Sequence, residues 1–256
     1  MPSPHLACSG LAPHTTQSEW IALAGENERL RYGMLQLFRL FELAPVLGSL
    51  INPRTVAGAG YSFEFQELTP LLGRAVQGGL MDENVREIAV TASGLDKAAG
   101  ILSGQFTLVA TNVPYLVAGK QAEPLKEFVE ARYYSGRSDL ATAFVLRCVE
   151  FCCTGGTTAL VTPQNWLFLG SYCILREELL RRETWQAVAR LGARAFETIT
   201  GEVVNVSLVA LSKSNPSEKH SFFGVDVSVQ NTPTDKALSL ETGPVVQLRQ
   251  SIQLDN

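Results

Sequence analysis

The chain has 256 residues, 46% of them hydrophobic and 18% charged, with a formal net charge of −4. That length fits one large α/β domain or two small ones, and that apolar content excludes a disordered tail. The longest apolar stretches are broken by charge, as Ala143–Cys153 is by Arg147 and Glu150, well short of the ~20 residues of a membrane span. The N-terminus carries Pro2, Pro4 and His5 where a secretory signal has a basic head and an apolar run. Five cysteines without a second Cys-x-x-Cys pair or flanking histidines argue against a zinc site and for a reducing, cytoplasmic setting. Bulk charge gives no sign of nucleic-acid binding. Ten of the 21 basic side chains fall between residues 120 and 200, but nine acids there nearly balance them.

Taken in order, residues 1–16 read as irregular, and Ser18 as the cap of a short helix through Gly25. Leu30, Met34, Leu37, Phe38 and Phe41 recur at helical spacing, which predicts a helix over 27–43. Residues 45–60 read as a loop with the run Ala57-Gly58-Ala59-Gly60. A short strand is expected over Tyr61–Phe65, a helix over Gln66–Val76 and a long helix over Asp82–Leu102. The pattern then changes. Phe106–Thr111 reads as a buried strand, followed by a polar loop and by a helix opened by Pro124. Ser138-Asp139 opens a helix ended by Gly155-Gly156, and Thr157–Thr162 reads as a second buried strand. A helix over Ser171–Arg182 and strands over Trp185–Leu191 and Val203–Leu211 complete the pattern, with a polar break at 213–221. The last 35 residues show weak alternation and no clear architecture. This order divides the chain into a mostly helical segment (1–105), an α/β part (106–212) and the start of a following region (213–256), expected to lead into target recognition. Alternating strands and helices from residue 106 predict a mainly parallel sheet with helices on its faces, and ligands in such sheets sit at the carboxyl ends of strands.

The segment Thr111-Asn112-Val113-Pro114-Tyr115 leaves the first of those strands. Asn112 offers an amide oxygen as acceptor. Pro114 biases Val113 to an extended shape that points its carbonyl the same way, and Tyr115 offers a flat face. Two acceptors and an aromatic plate suit the exocyclic amino group of a planar base. The same string also suits an ordinary strand-to-loop turn, where Asn and Pro are common, and spacing alone leaves both readings open.

Asn112-Val113-Pro114-Tyr115 resembles the Asn-Pro-Pro-Tyr motif of amino-group DNA methyltransferases that modify adenine N6. Val113 in place of the first proline loses rigidity and keeps the carbonyl. Longer strings, ATNVPYLVAGKQ (110–121), SDLATAF (138–144), GGTTALVTPQNWLFLGSY (155–172) and GEVVNVSLVAL (201–211), resemble the large adenine-specific methyltransferases of BREX-type phage-exclusion systems. So do CSGLAP (8–13) and APVLGSLINPR (44–54), so the resemblance runs from about Cys8 to Leu211.

The resemblance implies an α/β fold, the later strands of a Rossmann-like S-adenosylmethionine-dependent methyltransferase sheet with helices on both faces. It implies transfer of a methyl group from S-adenosylmethionine to adenine N6 in DNA, with restriction-modification or phage-defence use. The target base would leave the duplex, and neither metal nor membrane would take part. Asn112, Val113, Pro114 and Tyr115 would be catalytic, with Tyr115 stacking on the base and Asn112 facing the cofactor's methyl group. Other phage-defence subunits are the candidate protein partners. The family's glycine turn, typically Asp-Pro-x-x-Gly-x-Gly, occurs nowhere in the sequence, and Ala57-Gly60 is a poor substitute for it. A fragment starting partway through the catalytic domain is therefore expected, inactive alone and with a sticky open sheet edge. Secondary candidates are Glu64 near the cofactor adenine, Asp139 orienting the catalytic loop, Lys120 and Gln121 near a phosphate, and Asn165 and Trp166 lining the base pocket. Against these stand plainer roles: a solvated acid for Glu64, a helix cap for Asp139, solvated side chains for Lys120 and Gln121, and a core ring for Trp166. Two alternatives stand beside the main reading. One is a non-catalytic DNA-binding or assembly subunit. The other is a methyltransferase acting on RNA or on a protein amide.

Overall fold

The computed structural model describes residues 4–56, 82–196 and 204–254, so the strand expected at Tyr61–Phe65, the helix at Gln66–Val76, the run Ala57–Gly60 and Glu64 lie outside the described residues. The chain divides into two compact units, Met1–Gly104 and Gln105–Asn256. Among the described residues no single helix is long and apolar enough to cross a membrane.

The described part of the first unit is helical: α1 (Gln17–Ala22), α2 (Glu28–Phe41), α3 (Ala44–Leu47), α4 (Pro53–Val56) and α5 (Glu83–Ser103). The cap of α1 is Thr16 rather than Ser18. Its hydroxyl accepts from Glu19 N and the Glu19 carboxylate reaches back to Thr16 N, so both orphan donors are met. Asn27 caps α2, and Leu30, Met34, Leu37 and Phe41 form its buried stripe. Trp20 of α1 is fully buried and donates its indole N–H to Met34 O at 2.8 Å. The stretch expected as loop from residue 45 holds α3 and α4, two single turns too short to show periodicity. The inner face of α5 is made of small residues, Ala89, Ala92, Ala98 and Ala99, with Leu95 and Leu102.

The second unit carries β1 (Phe106–Asn112), α6 (Glu123–Arg132), α7 (Leu140–Phe151), β2 (Cys152–Pro163), α8 (Cys173–Arg182), β3 (Thr184–Gly192), β4 (Val206–Ser212), β5 (Ser221–Asp226), α9 (Pro233–Thr242) and β6 (Val246–Arg249). The strands form one sheet in the order β1-β2-β4-β3-β5-β6. The expectation of a mainly parallel sheet needs correction. β1 and β2 run parallel, as do β3 and β5, but β4 is antiparallel to β2 and β3, and β6 to β5. The end of β3 pairs with the start of β4 (Gly192 with Val206), so the chain reverses at one rim instead of crossing back over the sheet. β1, β2, β3 and β5 nevertheless point the same way, so their carboxyl ends share that rim.

Each face of the sheet has its own core. Leu160 and Val209, opposite one another, pack with Val145, Cys148, Leu175, Leu179 and Trp185, which places α7 and α8 on that face. Val161 and Leu208, the next pair, join Leu191, Val206, Val227 and Leu240 of α9 on the other. The fold is thus α/β with helices on both faces.

Three further expectations are corrected. The first strand is not buried: its residues are exposed except half-buried Val109, and among the described residues it pairs with β2 alone, at the edge of the sheet. Gly155-Gly156 does not end the preceding helix, which stops at Phe151. The two glycines form an irregularity inside β2, where Gly155 has φ +78 and a Cβ on Gly156 would meet Phe106 O at 2.7 Å. The last residues have architecture: β5, α9 and β6 extend the sheet past residue 212. Thr232 caps α9 by accepting from Asp235 N, with Pro233 in the first turn.

At the opposite rim, Glu183 has one carboxylate oxygen buried without a hydrogen-bond partner. Burial outweighs nearby Lys213 and Arg182 and pushes its pKa up to about 7. A carboxyl that binds its proton more tightly when folded loses stability as pH rises from the ordinary carboxylate range past that value. Melting temperature should therefore fall between pH 5 and pH 8, and Glu183→Gln should flatten that slope; an unchanged slope in the variant would refute the assignment.

Candidate active site

Register places the motif. β1 ends with Asn112 opposite Val161, and Val113 N–H donates to Val161 O at 3.3 Å, one step beyond the strand. A proline at position 113 has no N–H for that bond. Val113 is buried in the core shared with α7 and α8. The departure from Asn-Pro-Pro-Tyr therefore replaces ring stiffness with a ladder hydrogen bond and an apolar anchor.

Asn112 and Pro114 are exposed at the rim, and Tyr115 is half-buried, its ring against both cores. The Tyr115 hydroxyl donates to Asn112 Oδ1 at 3.0 Å. That bond orients the amide with its oxygen as the fixed acceptor and leaves a second lone pair on the same oxygen. Burial, with a smaller contribution from the Asp139 charge, raises the Tyr115 pKa, so the phenol stays protonated and remains a donor.

The loop after the motif is tied to the start of α7. Leu116 N–H donates to Asp139 Oδ1 at 3.4 Å, Leu140 N–H to Leu116 O at 2.9 Å and Ala118 N–H to Ser138 O at 3.1 Å. The Gln121 amide also donates to Leu116 O, at 3.0 Å. Asp139 Oδ1 accepts in addition from Ala141 N at 2.8 Å, as the N-cap of α7. Burial raises the Asp139 pKa and these two N–H groups oppose the rise.

The remaining candidates are placed as follows. Lys120 is exposed on the 3-10 turn Ala118–Lys120 of the tied loop. Asn165 is exposed on the turn that follows β2, four residues beyond Val161, and so stands on the same rim as Asn112. Trp166 points inward: it is 1% exposed, donates its indole N–H to Thr162 Oγ1 at 2.9 Å and lies 5.7 Å, ring to ring, from Trp185. Arg176 of α8 fixes this turn by donating to Trp166 O and Leu169 O.

Some features of this rim carried little signal in sequence. Gln121, expected at a phosphate or in solvent, is instead buried with its amide on Leu116 O, and Gln164 is buried too, each with its side-chain oxygen unpaired among the described residues. Lys236 is buried beneath the Arg190–Asp226 ion pair and donates to Leu191 O at 2.6 Å and Val227 O at 3.3 Å. It pins the end of β3 to the segment after β5. Among the described residues no group of three or more His, Cys, Asp or Glu is arranged to hold a metal ion.

Comparison with known proteins follows the same segment. The family model of the Eco57I restriction-modification methylase matches residues 74–196. The adenine-specific methyltransferase BrxX of Escherichia coli O9:H4 (strain HS) is 34% identical over 187 residues, 73% of this chain and 15% of its own length. The adenine-specific methyltransferase PglX of Lacticaseibacillus casei (strain Zhang) is 39% identical over 114 residues, 44% of this chain and 9% of its own. Among solved structures, the ATP-dependent Type ISP restriction-modification enzyme LlaBIII bound to DNA superposes with a TM-score of 0.49 at 14% identity, covering 65% of this chain and 13% of that one. The resemblance to BREX-type adenine-specific methyltransferases holds, and the chain spans about a sixth or less of the length of these curated relatives.

Core and rim roles on the turn after β2 separate by mutation. Trp166→Ala should cost about 3–5 kcal/mol of stability, and Asn165→Ala less than about 0.5 kcal/mol. Denaturant unfolding of both variants measures the difference; equal losses would refute the placement.

Proposed function

We propose that this chain carries the base-binding side of an adenine-specific DNA methyltransferase of the BREX type, which transfers a methyl group to adenine N6. The observation that supports this best is the rim geometry of Asn112–Tyr115. An exposed amide oxygen, oriented by a half-buried tyrosine, stands at the carboxyl end of a strand parallel to its neighbour. In this reading the target adenine leaves the duplex and stacks on the Tyr115 ring, a contact worth ~1–3 kcal/mol. The two N6 hydrogens are donated to Asn112 Oδ1 and to the Val113 carbonyl. Holding both hydrogens draws the nitrogen toward tetrahedral geometry and frees its lone pair for attack. Pro114 keeps Val113 extended so that the two acceptors face one amine. Lys120 contacts a phosphate and Asn165 an edge of the base. The strands β5 and β6, with α9 between them, form the far side of this sheet.

S-adenosylmethionine, when bound, supplies the methyl group. The described residues fit one side of it. Asn112 would face the methyl end; Glu64, proposed for the adenine end, lies outside the described residues, and neither the sequence nor the described rim offers a glycine turn for the carboxylate and ribose. A second reading, a DNA-binding or assembly part without catalysis, rests on that missing turn. Other phage-defence subunits remain the proposed protein partners.

Two measurements test these readings. Asn112→Ala, placed in a protein of this sequence that methylates DNA, should abolish transfer of a labelled methyl group while leaving unfolding unchanged. Transfer near the original rate would refute the role, and labelling of RNA or protein in place of DNA would redirect the substrate. Polar contacts are worth ~1 kcal/mol each and every ~1.4 kcal/mol is tenfold in affinity. The 256-residue chain should therefore bind S-adenosylmethionine at least about a hundredfold more weakly than an intact site. Micromolar binding by calorimetry would show that the chain builds its own cofactor site.

A further inference from the structure

We infer that Asp139 is a positioning residue for the base-binding loop, acting through one carboxylate oxygen that caps α7 and clamps Leu116 together; this rests on the function proposed above. Leu116 immediately follows Tyr115, so whatever fixes its backbone fixes the plane on which the base would stack. Both of its backbone groups are held from α7. Its N–H meets Asp139 Oδ1 at 3.4 Å, and its carbonyl accepts from Leu140 N at 2.9 Å and from the Gln121 amide at 3.0 Å. Asp139 also forms an isolated antiparallel bridge with Val117.

A pure helix cap satisfies N–H groups of its own helix. Asp139 does so at Ala141, at 2.8 Å, but the same oxygen reaches 23 residues back in sequence. The carboxylate is buried, 7% exposed, and half-buried Tyr115 and buried Tyr172 both sense its charge. A buried charge is costly unless hydrogen-bonded, so the loop is drawn against α7 rather than left to move over it. The loop in turn carries Tyr115, whose hydroxyl sets the Asn112 amide.

Three variants test the clamp by NMR amide exchange, by titration of the Tyr115 phenol and by quenching of a single-stranded oligonucleotide carrying 2-aminopurine. Asp139→Asn keeps the acceptor and removes the charge. Leu116 exchange and oligonucleotide affinity should stay within threefold, and the Tyr115 titration should move down toward 10. Asp139→Ala loses the acceptor. Leu116 should exchange at least tenfold faster and oligonucleotide affinity should fall at least tenfold. Thr142→Val deletes the single hydroxyl donor that lies within reach of Gly136 O and Asp139 O, without touching Leu116. It should lower the melting temperature and change neither readout. Unchanged Leu116 exchange in Asp139→Ala, or equal changes in Thr142→Val, would overturn the inference. If Asp139→Ala does not fold, Leu116 exchange at least tenfold faster in Asp139→Asn, where the acceptor is kept, would overturn it. Absence of quenching by the unmodified chain would count against the proposed function and leave the clamp to be decided by exchange and titration.

Discussion

The parallel pairing of β1 with β2 is the constraint on which the rest of the second unit depends. Its register runs from Leu108 opposite Thr157 to Asn112 opposite Val161 and gains one more bond from Val113. Parallel strands bring their carboxyl ends to the same rim, so this single register places the Asn112–Tyr115 segment beside the turn that begins at Gln164. A slip of one residue would exchange the faces of the strand. The half-buried Val109 would turn out to solvent, and Asn112 would no longer stand where the motif begins.

Above that register, the rim is rigidified by polar groups that have left water. Asp139, Gln121 and Lys236 are all buried, and each bonds to a backbone group just after a strand, Leu116 for the first two and Val227 for the third. Buried hydrogen bonds to backbone cost heavily when one partner is removed. Lys236 shows the balance: burial lowers its pKa, and the Asp226 carboxylate opposes this. The ion pair Arg190–Asp226 above it is exposed, and a pair of that kind contributes little by itself.

Much of this architecture was legible in the sequence where patterns are local. The stripe of α2, the cap at Asp139, Pro124 in the first turn of α6 and the apolar runs of β2 and β4 read directly, because each depends on neighbours within a few residues. Strand direction did not. β4 has the composition of a buried strand whichever way it runs, and only the close approach of Gly192 to Val206 sets it antiparallel. The C-terminal strands were hidden because β6 has four residues and both faces of β5 are mixed. At the rim, Asn112 and Tyr115 were legible as a motif, but the bond between them was not. Trp166 could not be divided between core and pocket from spacing; the Thr162 hydroxyl beneath its indole decides for the core.

The sequence of β1 carries one more argument. Strands buried on both faces read as continuous apolar runs, because helices or further strands cover them on every side. Phe106-Thr107-Leu108-Val109-Ala110 has that composition, yet Leu108 is 62% exposed and among the described residues β1 pairs with β2 alone. Edge strands that face solvent by design carry charge, proline or bulges that discourage pairing, and the seven residues of β1 contain no charge and no proline. The motif strand is therefore written as an interior strand. On the function proposed here, a neighbour at that edge would end at the same rim, beside Asn112, where a glycine turn could hold the cofactor.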